Sequence, residues 1–277
     1  PHWGDIEWVD GMESGDITGR WYDNDVRKQD ANIFAKVEWR PIKGLGIFAD
    51  LQYRLVSYRA WGVNDNFDWN KMQMQPISID KLYHLLNPHL GVNYTFAERH
   101  RLYASFAIAN KEPTRADFTD RYMFSKDESE PKPERLFDYE LGYQYSSNRF
   151  AVGLNLYYMQ YRDQLIPTGM VNDSSDALNV NVPDSYRCGA ELVAEYKIAK
   201  WLTVNGSVTV SRNKIRNYVD LLADSPTYGE NLGDMTIAYS PDCIASLGVD
   251  FHYKGFEALI TPRYVSKQYL TNNQIEG

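Results

Sequence analysis

The chain has 277 residues, enough to bury a hydrophobic core without disulfide staples, and its two cysteines, Cys188 and Cys243, are interpreted as separate thiols. The net charge of −8, with acids and bases spread along the chain, argues against a nucleic-acid-binding protein, which needs a basic surface. The mean hydropathy of −0.52 and the lack of a run of about 18 apolar residues exclude a helical membrane span, but they do not exclude strands that alternate between lipid and water. The chain starts at Pro1 without a visible signal peptide, so we expect a fragment or a processed chain.

Apolar and polar residues alternate with a period of two along much of the chain, which is the pattern of amphipathic β-strands. The clearest case is residues 135–162, where Leu154 and Leu156 fall on one face of a strand and Asn155 falls on the other. In chain order the pattern predicts about ten strands: residues 29–40, 46–58, 82–96, 101–109, the two halves of 135–162, 185–197, 202–211, 243–253 and 256–264. Long loops are predicted at residues 1–28, 61–80, 110–134, 163–183 and 213–235.

Short turns and long loops alternate between these predicted strands. The short turns lie near Lys43, Glu98, Asn148, Lys200 and Gly255 and recur about every 50 to 55 residues, a period also found in kelch-type β-propellers. A propeller blade has four short strands with mostly tight links, whereas each unit here has two long strands and one long loop. The pattern therefore predicts an all-β, antiparallel transmembrane β-barrel segment with short periplasmic turns and long extracellular loops.

Aromatic residues lie beside each of these short turns. They are Trp39, Phe96, Tyr145, Phe150, Tyr196, Trp201, Tyr253 and Phe256. An aromatic girdle at a membrane interface requires this placement, whereas hydrophobic caps on a soluble sheet would not need the same chemistry at every turn. The girdle is the favoured interpretation.

Three motifs together carry a resemblance to a known family. They are Glu-Pro-Thr-Arg at residues 112–115, Pro-Glu-Arg at residues 133–135 and Tyr-Arg-Asp-Gln-Leu at residues 161–165. With the strands around them, from about residue 30 to residue 268, they resemble the C-terminal half of the barrel in TonB-dependent outer-membrane receptors, most of all those of Bacteroidetes.

The resemblance implies a barrel of about 22 strands in the outer membrane, filled by an N-terminal plug domain. The plug domain, the TonB box, the early strands and the last strands are absent from this sequence, so residues 1–277 are expected to be one partial barrel domain. The implied partners are outer-membrane lipid, the receptor's own plug domain, the TonB complex through the absent N-terminal region, and a small-molecule nutrient. The implied function is import of a scarce nutrient, with an iron-siderophore or similar iron complex as the leading candidate.

The sequence predicts no catalytic, cofactor or metal site, and so no enzyme. The five histidines are scattered without an HExxH motif or other metal-ligand spacing, and no serine lies in a GxSxG elbow. Aromatic residues on the long loops could contact a nutrient or pack the loops together; the candidates for ligand contact are Trp61, Trp69, Tyr122, Phe124 and Tyr228. Charged residues on the polar strand faces are candidates for facing the lumen or the plug: Arg54, Asp138, Glu140, Arg187, Glu191 and Arg263.

Two other functions stay open on the sequence. One is a passive, porin-like outer-membrane barrel, which lacks a plug. The other is a secreted all-β protein that binds glycans, for which exposed aromatic residues are also suited. Extraction into buffer without detergent would favour the secreted protein over both membrane proteins.

Overall fold

The computed structural model describes residues 2–5, 20–68, 73–119, 130–171, 177–222 and 225–274. The strands of this part of the chain are β1 His2–Asp5, β2 Arg20–Ile42, β3 Leu45–Asp68, β4 Gln73–Phe96, β5 His100–Lys111, β6 Glu134–Ser146, β7 Phe150–Val171, β8 Ala177–Ala199, β9 Leu202–Ile215, β10 Met235–Thr236, β11 Cys243–Tyr253, β12 Phe256–Ile260 and β13 Arg263–Val265. A short helix, α1 Arg115–Thr119, lies between β5 and β6.

These strands form one antiparallel sheet, which confirms the predicted all-β architecture. Each strand from β1 to β9 pairs with the next, and β11 and β12 continue the sheet beyond β9. The short strands β10 and β13 pair with β9 and β11. Within the described residues β1 forms one edge and β12 with β13 the other, and no pairing joins the two edges to close the sheet.

Short turns join the strands at the predicted places, after β2, β4, β6, β8 and β11. In the β2–β3 turn, Gly44 has a φ of 85°, and a Cβ added there would lie 2.2 Å from the carbonyl oxygen of Thr95. Only glycine fits this turn, because both the left-handed backbone and the close carbonyl exclude a side chain. The predicted alternation of short and long connections is therefore confirmed.

The strands are longer than predicted at the ends that lie away from the short turns. β2 begins at Arg20, inside the predicted loop 1–28, and β3 and β4 reach Asp68 and Gln73, inside the predicted loop 61–80. β7 and β8 likewise fill most of the predicted loop 163–183, and the predicted loop 110–134 contains α1. These boundaries were wrong because turn-forming residues such as Pro76 and Pro167 indicated loops, although the backbone pairing continues through them.

The sheet has one apolar face and one polar face. Leu154 and Leu156 of β7 are 38% and 43% exposed on the apolar face, here called the outer face. Asn155 lies between them on the opposite, inner face. The predicted girdle residues Trp39, Phe150, Tyr196, Trp201, Tyr253 and Phe256 are exposed, and Phe150 bridges Tyr145 and Tyr196 at ring-centroid distances of 6.1 and 6.3 Å.

Buried apolar residues cluster at the strand ends away from the short turns. One cluster contains Tyr58, Ala60, Ile77 and Ile79 from β3 and β4, with Phe118 of α1 packed against it. The other contains Ile166, Val182, Ile215, Tyr218 and Ile237. Burying each large apolar side chain contributes about 1.5–3 kcal/mol, so these clusters hold the long connections against the sheet. Among the described residues, no helix is long and apolar enough to span a membrane.

Candidate functional site

One row of directly paired residues crosses the inner face from β2 to β8. Its charged or titratable members are Lys36, Asp50, His89, Asp138 and Arg187. His89 Nδ1 lies 3.5 Å from Asp50 Oδ2. Among the described residues, Oδ1 of Asp50 and Oδ1 of Asp138 are buried without a hydrogen-bond partner. The inner wall therefore contains two unpaired carboxylate oxygens that are shielded from solvent.

The other predicted inner-face residues lie on neighbouring rows. Glu140 follows Asp138 on the same face of β6, and Glu191 is exposed opposite Asn155. Arg263 is exposed at the sheet edge, opposite Ser246. Arg187 is different, because its Nη1 donates a hydrogen bond of 3.0 Å to Ser240 Oγ in the segment before β11. The inner face is thus rich in accessible acids, whereas this arginine already binds a segment of its own chain.

Aromatic rings lie over glycines on the inner face in three places. The pairs are Phe48 over Gly91, Tyr103 over Gly142 and Tyr157 over Gly189. A Cβ added at Gly142 would lie only 2.0 Å from Tyr103 Cζ, and the Tyr103 hydroxyl donates a hydrogen bond of 3.1 Å to Asn155 Oδ1. Because glycine has no side chain, each ring occupies the space that a Cβ on the paired strand would fill.

Glu112 is the centre of an ionic cluster on the inner face, at the end of β5 that lies away from the short turns. It is only 6% exposed, and its carboxylate accepts hydrogen bonds of 2.8 Å from Lys28 Nζ and of 2.8 and 3.0 Å from Arg54. Arg54 also donates from Nε to Asp30 Oδ1 and Oδ2 at 3.1 and 2.8 Å. The cluster joins β2 and β3 to the residue that follows β5. Arg54, which was predicted to face the lumen or the plug, therefore already donates its hydrogen bonds to acids of its own chain.

Hydrogen bonding keeps Glu112 charged in this buried place. Burial alone would raise the pKa of its carboxyl, but the hydrogen bonds from Lys28, its own backbone and Arg54 outweigh burial and hold the pKa below its ordinary value. The group is therefore ionised at neutral pH and matched by two cations. A buried carboxylate without these partners would be costly.

Polar contacts also fix α1 against three strands. Arg115 Nη2 donates to Asn64 Oδ1 at 2.9 Å, and the Thr119 carbonyl accepts from Gln75 Nε2 at 2.9 Å. Asp117 Oδ1 accepts a hydrogen bond of 3.1 Å from Asn179 of β8. The ring of Phe118 stacks on inner-face Tyr58 with 6.2 Å between centroids. The start of the β5–β6 connection is therefore packed against the inner face.

A second buried acid organises the connection between β9 and β10. Asp220 is fully buried and accepts hydrogen bonds from Thr227 Oγ1 at 2.7 Å, Asn273 Nδ2 at 3.2 Å and the Leu222 amide at 3.0 Å. Burial would raise the pKa of this carboxyl, but the hydrogen bonds from Ser225, Thr227 and the others lower it overall. The long connection and the C-terminal segment are thus tied together.

Asn272 links that C-terminal segment to the β7–β8 hairpin. Its Nδ2 donates to the Pro167 carbonyl at 2.6 Å, and its Oδ1 accepts from the Ala238 amide at 2.8 Å. The side chain is 1% exposed, so both bonds are shielded from water. The connections at this end of the sheet hold each other in one arrangement.

The predicted ligand-facing aromatics do not form one described cluster. Trp61 lies within β3, not in a loop, and it is 49% exposed on the outer-face side of that strand. Tyr228 is half-buried in the β9–β10 connection. Trp69, Tyr122 and Phe124 lie outside the described residues. Contact of any of these residues with a nutrient stays a prediction.

Sequence reasoning missed the residues that organise the far end of the sheet, namely Glu112, Asp30, Lys28, Asp220 and Asn272. Glu112 was visible as the first residue of the motif at 112–115, but its partners Lys28 and Arg54 are 84 and 58 residues away in sequence. Within the described part of the chain, no group of three or more His, Cys, Asp or Glu residues could hold a metal ion.

Comparison with known proteins gives a family and a fold. The family model "TonB dependent receptor-like, beta-barrel" matches residues 3–276. Similar solved structures include the copper transporter OprC at 16% identity and a TM-score of 0.69, covering 90% of this chain and 36% of that one. The ferric citrate transporter FecA is 15% identical, with a TM-score of 0.66, and the match covers 96% of this chain and 36% of that one. The ferric yersiniabactin uptake receptor FyuA from Yersinia pestis is 14% identical, with a TM-score of 0.63, and the match covers 95% of this chain and 38% of that one.

At these identities the structures establish the fold, and the chain spans only 36–38% of their length. No curated protein matches the sequence. The family match covers nearly the whole chain, and its members are outer-membrane proteins. The outer face of the sheet accordingly meets lipid and the inner face meets the barrel lumen. The chain therefore belongs to the TonB-dependent receptor-like β-barrel family of the outer membrane.

Proposed function

We propose that the chain forms part of the wall of a receptor that binds a scarce nutrient outside the cell and imports it with energy delivered through TonB. The nutrient is an iron complex, such as a ferric siderophore. Support comes from the family match and from the similar folds of transporters whose names specify copper, ferric yersiniabactin or ferric citrate. The contribution of this chain is binding and passage, without a chemical conversion of the cargo.

The observation that carries the proposal is the anchoring of the β5–β6 connection to the inner face. Glu112 and α1 hold this connection against β3, β4 and β8 by the bonds described above. A passive porin needs an open lumen, whereas a receptor binds its cargo and then releases it through a driven movement. A lumen wall that carries firmly anchored segments suits the receptor.

The inner face is proposed to contact the receptor's plug domain. Asp138 and Glu140 are neighbouring acids on the inner face of β6, so this part of the wall fits an arginine, a lysine or an amide of the plug. Glu191 and Arg263 are exposed on the same face and are assigned the same role. Arg54 and Arg187 instead position segments of the barrel itself, through Glu112 and Ser240.

The test uses the intact receptor in a strain that lacks its gene. Cells are grown with single iron complexes as the only iron source: ferric siderophores of different types, ferric citrate and haem. We expect growth on at least one complex to require both the receptor and an active TonB. Growth that requires the receptor but not TonB would identify a passive pore, and a requirement restricted to copper would reject iron as the cargo.

A further inference from the structure

The outer wall has a notch where β5 leaves the sheet. β4 pairs with β5 only as far as His89, and the next residue of β4, Pro88, has no backbone N–H to donate. β5 ends at Lys111 and the chain turns to Glu112 on the inner side. A cavity of about 640 Å³ opens at this point between β4, β6 and β7. Its lining includes Leu82, Lys132, Arg135, Phe137, Tyr139 and Arg162.

The rim of the notch that lies away from the short turns is cationic. Arg135 of β6 and Arg162 of β7 are direct partners across the ladder, and both are exposed on the outer face. Arg135 Nε donates to the neutral Asn110 Oδ1 at 2.8 Å. Two arginines therefore occupy directly paired positions on the same face, and Arg135 has only an amide as its described partner.

Nearby acids do not balance this charge. Arg162 lies 3.6 Å from Asp184 Oδ2, but Arg216 approaches the same oxygen at 3.4 Å. Lys132 adds a third cation to the rim, with its Nζ 3.7 Å from Asp163 Oδ1 and its side chain 63% exposed. Since one carboxylate is shared between two arginines, the rim keeps a positive charge that an anion can use.

The floor of the notch is aromatic and continuous with the lipid-facing surface. Phe137 and Tyr139 follow Arg135 on the outer face of β6, toward the short turn. Tyr139 lies in a row of rings with Phe106 at 4.8 Å and Tyr158 at 6.3 Å between centroids. Arg135 is the second residue of the 13-residue strand β6. Because a membrane-spanning strand needs about 9–11 residues, the rim lies at the outer water–lipid boundary and the rings lie just inside it.

We propose that this notch binds the phosphate-bearing headgroup of an outer-leaflet lipid. The guanidinium groups of Arg135 and Arg162 hold the phosphate, and acyl chains lie against Phe137 and Tyr139. Arginine suits this role because its planar donors bind phosphate in pairs and because basic residues at a membrane surface attract anionic lipid. A lipid is favoured over a soluble anion because Phe137 and Tyr139, which line the cavity, lie on the lipid-facing side of β6.

The test measures lipid binding to the intact receptor in detergent micelles. The probe is diphosphorylated lipid A, compared with the same lipid after enzymatic removal of its phosphates and with inorganic phosphate. The variant Arg135→Gln/Arg162→Gln removes both guanidinium groups, and Arg135→Lys/Arg162→Lys keeps the charges. Arg59→Gln is the matched control, because Arg59 is also exposed on the outer face and pairs with Asp80 at 3.0 Å, but lies on β3 away from the notch.

We expect native mass spectrometry to show the phosphorylated lipid bound to the wild type and to Arg59→Gln with equal affinity. The double glutamine variant loses affinity about twenty-fivefold, about fivefold for each charge, and the lysine variant keeps most of the binding. Removing the phosphates from the lipid lowers wild-type binding to the level of the glutamine variant, and inorganic phosphate does not compete.

Equal binding by the glutamine variant and Arg59→Gln would overturn the proposal, as would equal binding of the dephosphorylated lipid. Competition by inorganic phosphate would replace the lipid by a soluble anion and would also overturn it. If the double variant does not fold, Lys132→Gln gives the same comparison at an exposed position, with an expected fivefold loss of affinity. The result does not depend on which nutrient the receptor imports.

Discussion

The carboxylate of Glu112 and the guanidinium of Arg54 are joined by two hydrogen bonds of 2.8 and 3.0 Å, although β4 lies between the strand of Arg54 and the strand that Glu112 follows. The pair spans the inner face of β4. It fixes the point at which the chain leaves β5 and enters α1. The position of α1 on the lumen side therefore depends on one buried ion pair and on the polar contacts of the helix itself.

The first prediction concerns this anchor. Glu112→Ala leaves Arg54 with Asp30 but leaves Lys28 without its carboxylate partner, so we expect a loss of about 1–3 kcal/mol in the local stability of α1. Hydrogen exchange of the amides of residues 115–119 in the intact receptor measures this loss, as a rise of about fivefold or more in the exchange rate. The control Glu257→Ala, at an exposed position of β12, should leave these rates unchanged. Equal rates in the wild type and Glu112→Ala would contradict the anchoring role.

The second prediction concerns pH. Because the pKa of Glu112 is lower in the folded chain than its ordinary value of 4.5, its contribution to stability is fully present above that value. The contribution is lost as the pH falls through the lowered pKa, so the amides of α1 should exchange faster in acid after correction for intrinsic rates. In Glu112→Gln this step should disappear. An unchanged acid profile in that variant would show that another group is responsible.

The third prediction concerns the pair of Gly142 and Tyr103 on the inner face. Gly142→Ala places a methyl group where the ring of Tyr103 lies, so the ring must move away and its hydrogen bond to Asn155 breaks. We expect a loss of about 1–3 kcal/mol, seen as a lower unfolding temperature of the intact receptor in heated gel-shift assays. Adding Tyr103→Ala should relieve the clash.

Gly153→Ala is the matched control for Gly142→Ala. Its nearest neighbour would be the Val193 methyl group Cγ2 at 3.1 Å, which can rotate. We expect a much smaller effect from this change. If both alanine variants unfold at the same temperature, the position of the Tyr103 ring does not depend on the lack of a side chain at Gly142.

The fourth prediction tests Trp61 as a ligand contact. If its exposed ring touches the cargo, Trp61→Ala should weaken binding of the imported complex about tenfold in calorimetry on the intact receptor. Trp201→Ala is the matched control, because Trp201 is 43% exposed compared with 49% for Trp61, but lies beside a short turn on the periplasmic side. Equal affinities of the two variants would remove Trp61 from the binding surface.

Local patterns were sufficient to predict most of the sheet. Around Leu154 and Leu156 one face meets lipid and the other meets polar surroundings, so the alternation is strong and the strands were placed correctly. Within residues 163–183, Leu178, Val180 and Val182 still alternate with polar residues, but Pro167, Gly169 and Pro183 are typical of loops and outweighed this short pattern. The pairing with neighbouring strands shows that the ladder continues there.

The candidate site was predicted only in part, for a different reason. Alternation on one strand is enough to place Asp138 and Glu140 on the inner face. The partners of Glu112 lie on strands that are distant in sequence, and Asn272 meets Pro167 across 105 residues. Such contacts depend on how the whole sheet is assembled, which local patterns do not encode.

Attaching spin labels to adjacent residues of β7 tests whether this sheet separates lipid from the barrel lumen. Cysteines are introduced by Leu156→Cys or Asn155→Cys in the intact receptor, with Cys188 and Cys243 replaced by serine. Collision of each label with oxygen, which concentrates in lipid, is compared with collision with a water-soluble nickel chelate. We expect a high ratio of oxygen to nickel collisions at residue 156 and a low ratio at residue 155. Equal ratios, or the reverse order, would contradict a wall between lipid and lumen.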